Sequence, residues 1–277
     1  MKDLIIGCST NYDWSRLKYW INSINRSGFD GEKVMVLMNC DRDTIQKIID
    51  SGFKVIGMKQ DSNGNLVHQS NMMVHVERFI HMYNYIKDQD FRYIITTDVK
   101  DVVFQKNPST WLENNLGDKN LVFSSESMLY ENEPWGNQNL YETFGAYVYN
   151  EFKRNEIYNV GVLAGRGFAV RDLMMNIFVA CQGKPIPICD QSTFNFLISQ
   201  HPYLHTSKYM KSEDGWACQL GTTADPSKIQ SFRPFLLEEE PKMNDGKVVT
   251  SKGKEFTIVH QYDRVPEWRQ IIEEKYG

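Results

Sequence analysis

The chain has 277 residues, 41% of them hydrophobic, and a formal net charge of −4. That length and apolar fraction allow a sizeable core, while the weak negative charge offers no electrostatic footprint for nucleic acid or an anionic membrane. Cys8, Cys40, Cys181, Cys189 and Cys218 are odd in number and form no C-x-x-C, so they read as reduced thiols of a cytoplasmic protein, and a zinc site is not expected. The apolar run at the start is too short for a signal-peptide core, and nothing approaches a membrane span.

Leu4 to Cys8 is a short apolar strand followed by the polar loop Ser9, Thr10, Asn11. Asp13 can cap a helix in which Leu17, Trp20, Ile21 and Ile24 share one face, and Gly28 ends it. Lys33 to Met38 is a second buried strand. Asp41 or Asp43 starts a helix carrying Ile45, Ile48 and Ile49, Gly52 closes it, and Phe53 to Met58 is a third strand. Asn71 to Lys87 is helical, with Val74, Phe79, Met82 and Ile86 inward, and β-branched, aromatic Phe91 to Thr97 is a fourth strand. This alternation implies right-handed βαβ crossovers and a mostly parallel sheet.

Beyond Asp101 the pattern loosens. Pro108 opens a helix containing Trp111 and Leu112, and Leu121 to Ser124 is a strand. Glu126 to Tyr158 reads as a long irregular connection, rich in aromatic and polar residues. Val160 to Leu163 is a strand running into Gly165 and Gly167, Arg171 to Ala180 a helix, and Asp190 caps another reaching Ser199. Glu238 to Lys254 is a loop or hairpin, Phe256 to Val259 a late strand, and Pro266 starts the last helix. No linker interrupts the chain. The expectation is one α/β domain with a mostly parallel central sheet flanked by helices and a mixed C-terminal half.

Asp98 and Asp101, in the segment YIITTDVKDVVFQKNP, follow the fourth strand directly. Ligands of open α/β sheets bind beyond the carboxyl ends of strands, and two carboxylates there suit a hard divalent cation that bridges to phosphates. Read by itself, such a pair also makes an ordinary turn. The loop Ser9, Thr10, Asn11 is neither a dinucleotide fingerprint nor a P-loop; it can bond a base or ribose, or simply turn the chain. Arg78 offers a planar fork for a pyrophosphate, or pairs with Glu77 or a carboxylate one turn away. Asn159 and Gly161 admit a ligand close to the backbone, or mark a bulge. Asp190 caps its helix and can also take a proton from a hydroxyl. His260 ends the late strand beside Gln261, Tyr262, Asp263 and Arg264, as a structural histidine or a metal ligand. The aromatics between Tyr130 and Tyr158, with Trp135 foremost, suit sugar faces or a satellite core.

In this order, Asp98-Val99-Lys100-Asp101 with Val102 to Gln105, Asn159-Val160-Gly161, Asp190-Gln191 and His260 to Arg264 resemble the nucleotide-sugar-dependent glycosyltransferases of the GT-A fold, over almost the whole chain. The resemblance implies an N-terminal nucleotide-binding half (1–105), an acceptor-binding half (106–277), an NDP-sugar donor of uridine type and a glycan or other hydroxyl acceptor. It implies Mn²⁺ or Mg²⁺ held by Asp98, Asp101 and His260, with Asp98 also near the donor ribose and Asn159 and Gly161 near the donor sugar. The family's D-x-D becomes D-x-x-D here, and Lys100 at its third position would offset phosphate charge. Inversion would need a base, Asp190 first and Glu126 second; retention would not. The rivals are a sugar nucleotidyltransferase, for which Gly7 to Asn11 lacks a basic glycine-rich loop, a phosphatase using Asp98, and a non-catalytic glycan- or nucleotide-binding module.

Overall fold

A computed structural model of the protein describes residues 1–277. Strands β1 (Lys2–Ser9), β2 (Glu32–Leu37), β3 (Lys54–Gly57) and β4 (Phe91–Thr97) alternate with α1 (Trp14–Arg26), α2 (Arg42–Asp50) and α3 (Val74–Ile86). The strands lie in the order β3-β2-β1-β4 and are all parallel. Both faces of this sheet are covered, which is why Leu4, Ile5 and Ile6, and Val34 through Leu37, form unbroken buried apolar runs instead of alternating. Asp13 and Asp41 cap α1 and α2 by accepting from the amides of Arg16 and Thr44. Asp43 already lies in the first turn of α2.

β5 (Val102–Phe104) and α4 (Pro108–Asn115) follow; Asn107 caps α4 and Pro108 takes its first position. Next come β6 (Leu121–Leu129), α5 (Pro134–Phe152), β7 (Glu156–Tyr158), β8 (Val162–Arg166), α6 (Gly167–Cys181) and α7 (Asp190–Ile198). The chain then forms α8 (Tyr203–Thr206), β9 (Ser207–Met210), β10 (Ala217–Gln219), α9 (Leu220–Thr223) and α10 (Ile229–Phe232). It closes with the hairpin β11 (Lys242–Asn244) and β12 (Lys247–Val249), then β13 (Ile258–His260) and α11 (Pro266–Tyr276).

Strand β8 joins the parallel half by pairing antiparallel with β4. β6 is antiparallel to β8 and to β7, and β9 runs parallel to β6. The result is one α/β domain around a mostly parallel central sheet, with the mixed arrangement in its second half. A separate small sheet, β10-β13-β5, packs its own core of Val103, Cys218, Phe256, Val259 and Tyr262. It brings the end of β13 to the end of β4.

Three expectations fail. Glu126 to Tyr158 is not irregular: β6 runs on to Leu129, and α5, bent at Gly145 (φ 76°), fills most of the rest. Its buried positions are Gly136, Asn139, Leu140 and Thr143, mostly small or polar, so the hydrophobic period that reveals a helix is missing. Asp190 is not a cap. Cys189 holds that position, Asp190 is the first helical residue, and its carboxylate turns to Arg78. The strand read at Val160 to Leu163 lies two residues later, because the amides of Val160 and Gly161 are taken by side chains.

Candidate active site

A cleft of about 250 Å³ opens at the carboxyl ends of β1 and β4. Ser9 lines it from the last position of β1, and Thr10 and Tyr12 from the loop that follows. Val74, His75 and Arg78 line it from α3, Asp98 to Asp101 from the turn after β4, and His260, Gln261 and Arg264 from the end of β13. Parallel strands end on one edge, so loops remote in sequence meet there.

Asp98 Oδ2 and Asp101 Oδ1 stand 3.5 and 3.6 Å from His260 Nε2. One ligand atom from each of the three residues falls within 4.8 Å of the others. His260 Nδ1 lies 2.7 Å from Gln219 Oε1, and Gln219 Nε2 donates to Ser124 Oγ at 2.9 Å. A carbonyl oxygen accepts only, so the proton sits on Nδ1 and Nε2 faces the carboxylates. Burial pushes the imidazole toward neutrality, but Asp101 and then Asp98 outweigh it and lift its pKa to about 10. The pocket therefore demands positive charge. Two carboxylate oxygens and one imidazole nitrogen at this spacing fit a divalent cation, which would take the place of the Nε2 proton and leave the one on Nδ1.

Gly161 belongs to this cluster. A Cβ there would stand 2.5 Å from His260 Cε1 and 2.9 Å from Asp98 Oδ2. The glycine thus makes room for the carboxylate and imidazole themselves, whereas its sequence context suggested room for a ligand. Its carbonyl accepts from the Asp98 amide at 2.8 Å.

Arg78 does not pair with Glu77. Nη1 donates to Asp98 Oδ1, and Nη2 to Asp190 Oδ2 at 3.3 Å. Burial penalises the Asp98 charge, yet Arg78, followed by His260, holds its carboxyl far below the usual range. At Asp190 burial dominates, and its pKa rises despite Arg78. Lys100 Nζ is held 3.0 Å from Asp263 Oδ2 on the cleft rim. Asn11 turns away: it is exposed, in the left-handed conformation (φ 58°) that asparagine tolerates.

Glu126, Asn159 and Gly161 lie behind the cleft wall. Glu126 Oε1 accepts from Asn159 Nδ2 at 2.7 Å and from Gln191 Nε2 at 3.0 Å. Asn159 Oδ1 accepts from the Gly161 amide, and Gln191 Oε1 from the Val160 amide. Burial first, and then the nearby Glu133 charge, raise the Glu126 pKa to about 7. Sequence reasoning missed Tyr12, His75 and Gln219. Gln219 carried no sequence signal: the parallel pairing of β10 with β13, which sets it opposite His260, exists only in the folded chain.

No protein-family model matches the sequence, and no curated protein does. Solved structures do. The apo structure of WbbM, a bifunctional glycosyltransferase, superposes with a TM-score of 0.57 at 11% identity, covering 99% of this chain and 51% of that one. The apo form of the glycosyltransferase GlyE of Streptococcus pneumoniae TIGR4 gives 0.52 at 13% identity, covering 100% and 63%. The fold is a GT-A-like glycosyltransferase fold. The chain spans between half and two thirds of the length of these two neighbours, and at such identities the likeness concerns backbone architecture.

Proposed function

We propose that the chain is a metal-dependent glycosyltransferase moving a sugar from a nucleotide diphosphate sugar, of uridine type, to a hydroxyl of a glycan. The observation that carries this reading is the meeting of Asp98, Asp101 and His260 with Ser9, Thr10 and Lys100 around one cleft at the carboxyl edge of a parallel sheet. Residues 1–105 would hold the nucleotide and residues 106–277 the acceptor. Asp98, Asp101 and His260 would hold Mn²⁺ or Mg²⁺, which when bound neutralises the diphosphate and eases departure of the nucleotide. Ser9 Oγ is buried without a partner, and Thr10 Oγ1 on the same wall accepts from Asn39 but keeps its own proton to donate, so both can bond the nucleoside. Lys100 and Arg264 at the rim, which share the single carboxylate of Asp263, leave net positive charge there for the diphosphate.

Arg78 has both terminal nitrogens committed to carboxylates, which favours a role in fixing Asp98 over direct contact with phosphate. Asp190 fixes Arg78 in turn, although its raised pKa keeps it a candidate base. Glu126 has a pKa raised to about 7 and is the second candidate base for an inverting route. That role would require the acceptor hydroxyl to reach it behind the cleft wall, where Asn159 and Gln191 hold one of its oxygens; a retaining route needs no such base. Five free, buried cysteines suit a reducing cytoplasm. No helix is long and apolar enough to cross a membrane.

The test is incubation with a panel of NDP-sugars and Mn²⁺, alongside thermal shifts with UDP, GDP, CDP and ADP. NDP release and a shift largest with UDP support the proposal. A shift largest with GDP overturns the donor. Pyrophosphate release points to the nucleotidyltransferase, and release of neither product to a binding module.

A further inference from the structure

A second convergence of histidine and carboxylate lies on α3, independent of the donor-site reading. Glu77 and His81 are four residues apart and so share one helix face, and His68 reaches them from the loop between β3 and α3. Glu77 Oε1 is 2.7 Å from His68 Nε2 and 3.2 Å from His81 Nε2. The two imidazoles stand perpendicular with centroids 5.1 Å apart, so their Nε2 atoms converge on one point instead of stacking. The side chains are only 18%, 9% and 11% exposed for His68, Glu77 and His81, which shields the cluster without sealing it.

The charge balance is unusual. Glu77 is a buried carboxylate whose ion-pair partners are these two histidines alone; its neighbour Arg78 points to Asp98 and Asp190. Buried charges are normally paired with a full counter-charge or coordinate a metal. His81 Nδ1 is buried without a partner whichever nitrogen carries the proton, so it favours neither arrangement. The geometry does favour one, since two imidazole nitrogens and a carboxylate oxygen meet at one place and no Lys or Arg pairs with Glu77. The cluster is also anchored: the His68 amide donates to Asn39 Oδ1 at 2.8 Å, and Asn39 Nδ2 donates to Thr10 Oγ1 at 3.2 Å.

We propose that His68, Glu77 and His81 form a metal site for a borderline cation, Zn²⁺, separate from the oxygen-rich cluster in the cleft. Two imidazoles and one carboxylate are a zinc ligand set, and three protein ligands leave a fourth tetrahedral position to solvent. Tetrahedral ligands at ~2.0–2.1 Å from zinc stand about 3.3 Å apart. The 3.2 Å pair already matches, and the 2.7 Å pair opens by a small side-chain shift. Through Asn39 the ion would stiffen the connection before α3 against Ser9 at the end of β1 and Thr10 just beyond it.

The test uses full-length protein carrying Asp101→Ala, which cripples the cleft cluster, stripped with a chelator and dialysed against Zn²⁺. About one zinc per chain is expected, with X-ray absorption showing two imidazole nitrogens at about 2.0–2.1 Å. His68→Gln and His81→Gln should each weaken binding at least as much as losing a ligand's supporting partner does, ~10–100-fold. Co²⁺ in place of zinc should give the visible bands of a tetrahedral ion, lost in the same variants. Circular dichroism establishes that each variant is folded. No bound zinc in the parent, or a spectrum with fewer than two imidazoles, overturns the site without recourse to a variant. A folded histidine variant that binds as the parent does overturns it too.

Discussion

The parallel half and the mixed half of the sheet are stabilised by different means. In β1 to β4 the interior is mainly apolar, and polar groups collect at strand ends: Ser9 at the end of one strand, Asp98 and Asp101 after another. In the mixed half, polar side chains lie inside. Ser124, Ser125, Ser127, Asn139, Thr143, Asn159, Gln191, Ser192 and Asn195 are all buried. They bond backbone that the ladders leave free: Asn195 takes the Tyr158 amide, Gln191 that of Val160 and Asn159 that of Gly161. A parallel sheet with covered faces satisfies its own backbone, whereas strands that change direction and neighbour leave groups that side chains must satisfy. The first half is thus held mainly by burial and the second also by a polar network, in which Ser127 Oγ and Thr143 Oγ1 alone of these side chains stay without a partner.

The candidate site lies on the seam, and the largest predicted effect separates its chemistry from the stability of both halves. Asp101→Ala should lower Mn²⁺-dependent NDP release by about a thousandfold, since a metal supplies several kcal/mol of charge stabilisation. The metal-free variant should remain cooperatively folded, with a lower melting midpoint because buried His260 loses its pair with Asp101. Loss of folding, or normal donor binding with Mn²⁺, would refute the assignment.

Arg78 ties the end of β4 to the start of α7 through Asp98 and Asp190. Removing one partner of a buried ion pair costs ~3–5 kcal/mol, and the partial exposure of Asp98 reduces this. Arg78→Met should therefore destabilise by about 2–4 kcal/mol in urea unfolding. A smaller change, within ±0.5 kcal/mol as for a surface substitution, would show that the halves are not joined there.

The polar network gives the mixed half a pH dependence near neutrality, whereas the shifted carboxylates of the parallel half, Asp3 and Asp98 among them, are held below their usual range and respond only in acid. Glu126 has a folded pKa near 7 against ~4.3 when unfolded. The folded state therefore keeps its proton longer, and the stability from protonated Glu126 is fully present below pH ~4.3 and lost as pH rises through about 7. Between pH 5 and 8 the parent should lose about 1–3 kcal/mol more than Glu126→Gln does. Unfolding curves at both pH values check this, and parallel curves would place Glu126 in contact with water.

The smallest effect concerns the acceptor. Trp135 is 53% exposed in the first turn of α5, so its stacking role no longer rests on an irregular segment. If it meets the acceptor, Trp135→Ala should raise acceptor KM or lower turnover by the equivalent of ~0.5–1.5 kcal/mol, with donor hydrolysis intact. An equal loss of hydrolysis would move it to the donor side.

The sequence by itself determined the strand and helix alternation to Thr97, because aliphatic runs and capping aspartates are local signals. It also placed Asp98 and Asp101 beyond a strand and His260 at the end of another. It did not reveal α5, whose inner face lacks a hydrophobic period, or the Glu126–Asn159–Gln191 network, whose members carry no shared motif. Only the tertiary structure decided that Asp190 holds Arg78 and leaves its helix uncapped, and that Gly161 yields space to His260. It alone set Gln219 behind that imidazole and gathered His68 onto Glu77 and His81. The reason is physical. Periodicity and capping are written in neighbouring residues, whereas a partner for a buried charge or a donor for a buried amide is supplied by whichever segment packing brings within about 3 Å.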